Sequence, residues 1–192
     1  MCATFQLSFD DIAEIKKISD EITAKHGEDT AIQCFNRDYF PKSEVPVIGP
    51  GDKVSLLRWG FPMKGSKSVV FNARAESLGE KGMFKNSLDK RCLVPATSFY
   101  EWDKEKKKYR ISDETRKLFY MAGIWKAYQN LEGVKEYYFT IITTAPNEQI
   151  GKIHNRMPAI IRQENIPLWF SDTENALKLL KPYEERLMIG FA

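Results

Sequence analysis

The chain has 192 residues, 43% of them hydrophobic and 29% charged, with 29 basic and 26 acidic side chains giving a net charge of +3. That length and balance suit one globular domain spanning 1–192 with a real core. They exclude a membrane helix, since no run of about 18 apolar residues occurs. The start, Met1-Cys2-Ala3-Thr4-Phe5-Gln6-Leu7, has no basic-then-apolar leader, so residence in the cytoplasm and no membrane partner are expected. The small positive charge permits a local basic patch without indicating nucleic acid by itself.

In chain order, Ser8 to Gly27 predicts an amphipathic helix, with Ile12, Ile15, Ile18 and Ile22 at three- and four-residue steps. Ser8 with Asp11 resembles a capping box, and Gly27 is a stop signal. Arg37 to Gly51 holds three of the nine prolines and reads as an irregular loop. Strand-like runs follow at Val54 to Phe61, Ser68 to Ala75, Cys92 to Trp102, Lys108 to Ser112, Leu118 to Tyr128 and Tyr137 to Thr144. Pro158 to Arg162 and Leu187 to Phe191 are weaker strand signals. Asn147 to Ile153, Gln163 to Phe170 and Asp172 to Leu180 read as short helices. The lysine-rich run from Lys104 to Lys108 reads as a solvated hairpin turn. Many strands with few short helices predict an α+β fold around a curved, barrel-like, mostly antiparallel sheet.

The three cysteines, Cys2, Cys34 and Cys92, are odd in number and far apart, and the two histidines stand at no ligand spacing from them. No disulfide framework, no metal and no other cofactor are expected. Cys2 is different in kind. If Met1 is trimmed, one residue offers a free α-amine and a thiol. The amine condenses with an aldehyde to an imine, and the thiol closes on the imine carbon to give a thiazolidine. An α-amine of pKa about 7.7–8.0 and a thiol near about 8.5 are both partly nucleophilic at neutral pH. Taken singly, Cys2 is equally an accident of the second codon. Phe71 to Ser77 also reads as an ordinary alternating strand, Glu101 between Tyr100 and Trp102 as a carboxylate on the solvent face of an edge strand, and His154 as a structural histidine.

The order of the segments is more informative. Met1-Cys2, Arg58-Trp59-Gly60-Phe61, Asn72-Ala73-Arg74-Ala75-Glu76, Arg91-Cys92-Leu93-Val94-Pro95, Phe99-Tyr100-Glu101-Trp102, Met121-Ala122-Gly123-Ile124-Trp125, Thr143-Thr144-Ala145 and Ile153-His154-Asn155-Arg156-Met157-Pro158 together resemble the SOS-response-associated peptidase family. The resemblance implies a protein of the DNA damage response that senses abasic sites in single-stranded DNA. It would bond covalently to them as a thiazolidine, with possible lyase activity and a peptidase activity that removes residues ahead of the cysteine. It implies Cys2 as the crosslinking nucleophile, Asn72 as the residue that orients it, Glu101 as proton shuttle and His154 as the aid to sugar-ring opening. Arg74 and Arg156 would grip phosphates, and Trp59, Phe61 or Met63 would face the bases. Departures are Ala3-Thr4 where the family has Gly-Arg, Ser98 where it has Gly, and Phe61-Pro62-Met63-Lys64 where it often carries a wedging tryptophan. A monomer is expected. Two rivals stand beside this reading: a self-processing cysteine peptidase using Cys2 and His154, and a non-covalent single-strand-binding module that stacks bases on Trp59, Phe61, Tyr100 and Trp102.

Overall fold

The computed structural model describes residues 2–9, 12–115, 117–130 and 132–192. Fifteen strands run in chain order among the described residues. They are β1 (Thr4–Leu7), β2 (Arg37–Tyr39), β3 (Glu44–Ile48), β4 (Val54–Trp59), β5 (Phe61–Pro62), β6 (Val69–Val70), β7 (Asn72–Arg74) and β8 (Arg91–Ala96). Then come β9 (Ser98–Trp102), β10 (Lys108–Asp113), β11 (Phe119–Gln129), β12 (Lys135–Thr144), β13 (Met157–Pro158), β14 (Ile160–Ile161) and β15 (Leu187–Phe191). The helices are short apart from the first: α1 (Ala13–His26), α2 (Glu28–Gln33), α3 (Gly82–Lys85), α4 (Glu148–Gly151), α5 (Ile166–Trp169) and α6 (Thr173–Lys178).

The strands form a closed, mixed barrel and a flanking open sheet. The barrel ring runs β8–β11–β12–β4–β3 and returns to β8 through the Ile48–Leu93 pair. Only the β12–β4 contact in this ring is parallel. The ring closes between β3 and β8 through that single pair, so most of β3 keeps an edge-like side there. The open sheet has the order β15-β10-β9-β1-β2 and is antiparallel throughout. Both sheets share one hydrophobic cluster, so the predicted α+β architecture around a barrel-like sheet is the observed one.

A local device fixes where the functional segments fall. β4 pairs with β12 only as far as Trp59–Phe139, and β7 takes over the same edge from Asn72–Ile141. Between them the chain leaves the barrel at Gly60, whose φ is +110° and whose position a Cβ would bring within 2.5 Å of Val69 Cγ2. A side chain there would be both strained and in collision. The excursion is the β5–β6 hairpin, and it returns the chain to β12 with Asn72 in place.

Several expectations are corrected. The first helix begins at Ala13, with Ile12 as an N-cap that makes no side-chain bond. Ser8 instead donates its N–H to Thr97 Oγ1 at 3.1 Å, and Asp11 lies outside the described residues. Ile15, Ile18 and Ile22 are buried and Gly27 ends the helix at φ +88°, as their spacing predicts. Arg37 to Gly51 is not irregular, because it carries β2 and β3. Pro46 is admissible in β3 because the strand meets β8 only at Ile48, leaving its other levels edge-like. The run Cys92 to Trp102 is two strands. It breaks at Thr97, where the chain crosses from the barrel (β8) to the open sheet (β9) and Thr97 N–H donates to Gln6 O at 2.8 Å.

Candidate functional site

Four segments from distant parts of the chain meet where the open sheet abuts the barrel. β1 pairs with β9 from Thr4–Tyr100 onward, so the residues ahead of β1 lie beside the Glu101 end of β9. β7 and β13 both pair with the last residues of β12: Asn72 and Arg74 with Ile141 and Thr143, and Pro158 with Thr143. Asn147 caps α4 by accepting from Ile150 N–H, and the loop after α4 presents His154 toward the same place.

Cys2 is fully buried, and its Sγ lies 3.8 Å from Thr4 O. Asn72 Nδ2 donates to Cys2 O at 2.8 Å. That leaves Asn72 Oδ1 buried with no hydrogen-bond partner among the described residues, an acceptor with capacity to spare. Glu101 is 1% exposed. Burial pushes its carboxyl above the ordinary carboxylate range, against the opposing pull of His154. Burial likewise pushes the Cys2 thiol up, and the Glu101 carboxylate adds to that shift. His154 Nδ1 lies 3.8 Å from Glu101 Oε1. The backbone N–H of Arg156 donates to the same Nδ1 at 3.1 Å. The carbonyl oxygen of Arg156 also lies 3.2 Å from that Nδ1, so the role this nitrogen plays depends on the tautomer.

The expected phosphate and base contacts divide. Arg74 is exposed at the end of β7. Arg156 is not free: its guanidinium holds both Glu76 carboxylate oxygens, at 2.8 and 2.9 Å, and donates to Thr143 O at 2.6 Å. Trp59 and Phe61 are fully buried and present no face to a base. Trp59 packs on Phe5 and Phe139 with centroids 5.2 and 6.4 Å away, and its Nε1 donates to Phe71 O at 2.8 Å. Phe61 packs on Phe84 and Tyr128. Met63 is 42% exposed and alone of the three reaches solvent. The stacking surface required by a plain single-strand-binding module thus loses two of its four aromatics to the core, and Tyr100 is 6% exposed. Thr4, standing where the resemblance has an arginine, is buried at 3%. Sequence reasoning assigned no role to Glu76, although it lies inside the matching block Asn72 to Glu76; its position in that block was the available signal.

The fold and site define a class: an α+β barrel protein with a cysteine near the chain start, set against an asparagine, a buried glutamate and a histidine. The chain belongs to the SOS response associated peptidase (SRAP) family, whose model matches residues 1–190. It is 36% identical over 186 residues to the abasic site processing protein YoqW of Bacillus subtilis, spanning 81% of this chain and 83% of that protein. It is 33% identical over 168 residues to the abasic site processing protein HMCES of Xenopus tropicalis, spanning 68% and 50% of the two. A crystal structure of a Bacteroides thetaiotaomicron protein superposes with a TM-score of 0.84 at 26% identity, covering 99% of this chain and 91% of that one. Among the described residues no helix is long and apolar enough to cross a membrane.

Proposed function

We propose that this protein processes abasic sites by forming a covalent crosslink between Cys2 and the opened sugar in single-stranded DNA. The observation that carries the reading is the grip of Asn72 on Cys2 beside the buried Glu101 and the partly exposed His154. The relatives named as abasic site processing proteins supply the substrate class.

The chemistry requires loss of Met1, which frees the Cys2 α-amine. His154 assists opening of the sugar to its aldehyde. The amine nitrogen attacks the aldehyde carbon to give a carbinolamine. Glu101, kept protonated to higher pH by burial, donates a proton to the departing hydroxyl. Water leaves and an imine remains. The Cys2 sulfur then adds to the imine carbon, its proton passing to the imine nitrogen. The product is a thiazolidine and the balance is one water released. A thiol held neutral by burial favours nitrogen as the first nucleophile, since the thiolate is the reactive form of sulfur. Asn72 contributes orientation, and its unused Oδ1 suits an N–H of the new amine. Exposed Arg74 supplies charge for a flanking phosphate. A missing base lowers the stacking cost of drawing the lesion into the site.

The test is a denaturing gel of purified protein with a single-stranded abasic oligonucleotide. A shifted band is expected for the wild type and none for Cys2→Ala. A band that survives in Cys2→Ala assigns the bond to another residue and sinks the reading.

A further inference from the structure

Glu76 and Arg156 form a bidentate ion pair between segments far apart in the chain. Glu76 sits in the 3₁₀ turn Ala75–Ser77 immediately after β7, and Arg156 lies two residues beyond His154. Bidentate carboxylate–guanidinium contact is the strongest and most directional form of ion pair. Here the arginine is 11% exposed, and the carboxylate, though 57% exposed, is turned onto it. A second bond to Thr143 O fastens the guanidinium to the end of β12. Arg156 Nε is buried with no hydrogen-bond partner among the described residues. That is an unfavourable placement, retained while the fork is held from the other side. The Arg156 side chain therefore fixes its own backbone, and the Arg156 N–H is what holds His154 Nδ1. Both terminal guanidinium nitrogens are engaged by Glu76.

We propose that Glu76 is a positioning residue for the crosslinking reaction: through Arg156 it ties the Asn72 strand to the His154 loop and sets the imidazole against Glu101. In the unbound protein Arg156 is an internal strut, and Arg74 is the phosphate cation at this edge. The inference rests on the crosslinking reading above.

The experiment measures single-turnover crosslinking of a single-stranded abasic oligonucleotide over a range of DNA concentrations. It separates non-covalent affinity from the rate at saturation. Wild-type protein that forms no adduct fails the underlying reading, and this inference with it. With an active wild type, Glu76→Gln is expected to lower the saturating rate by up to about 100-fold, the scale of a misplaced reacting group. Affinity should hold or rise, and the log–log salt slope should steepen by about 0.7 as the freed Arg156 gains one phosphate. The exchange Glu76→Arg with Arg156→Glu rebuilds the pair in reverse and is expected to recover most of the rate. A saturating rate in Glu76→Gln equal to wild type overturns the proposal. So does an exchange variant as impaired as Arg156→Ala, which would assign Arg156 to the DNA itself.

Discussion

At the scale of single residues, the proposed site brings together a carboxyl and a thiol whose burial favours their neutral forms. Burial favours the neutral form of Glu101, and a neutral carboxyl is what a proton donor must be. Glu101→Gln keeps the shape and removes the acid. Its crosslinking rate is expected to fall by about 100-fold or more, measured under single turnover. The same shift has a stability consequence. A carboxyl whose folded pKa is raised is most favourable to folding below its ordinary range, and that benefit is lost as pH rises through the folded value. Glu101→Gln should therefore match wild type in acid and become the more stable of the two as pH climbs above 4.5, read by thermal melts across pH. Equal melting differences at every pH would contradict the assignment. The roles proposed for Cys2, Asn72, Glu101 and His154 come from their membership of ordered blocks. Their types are commonplace, and non-local strand pairing is what brings them together.

At the scale of elements, Trp59 at the end of β4 is a pillar between the sheets, touching Phe5 of β1 and Phe139 of β12. Trp59→Phe keeps most of the packing and loses the bond to Phe71 O; it should cost about 1 kcal/mol. Trp59→Ala should cost about 3–5 kcal/mol, both read by urea unfolding. A Trp59→Phe variant with native stability but weakened DNA binding would place the indole on the substrate instead. Its burial was not readable beforehand, because alternation along a strand marks two faces without saying which one a closing barrel turns inward. Periodicity succeeded where the signal is local. The isoleucine stripe of α1 and the run Leu187–Phe191 stand as read. It failed for β1, β2 and β3, which are short or proline-bearing and exist because partners elsewhere in the chain pair with them.

At the scale of the whole molecule, the site belongs to neither sheet alone. The open sheet delivers Cys2 and Glu101, the barrel delivers Asn72, and the loop after α4 delivers His154, so reactivity should be lost with cooperative unfolding. With a net charge of only +3, the proposed function needs local cations, such as the exposed Arg74, to attract DNA. In the proposed function one terminal residue supplies nitrogen and sulfur together to a sugar carbonyl. Intact-mass measurement of the adduct with a single-stranded abasic oligonucleotide tests it most directly. The expected mass is that of the chain without Met1 plus the oligonucleotide less one water, with the link mapped to Cys2. An adduct that retains Met1, or one mapped to a lysine, would contradict it.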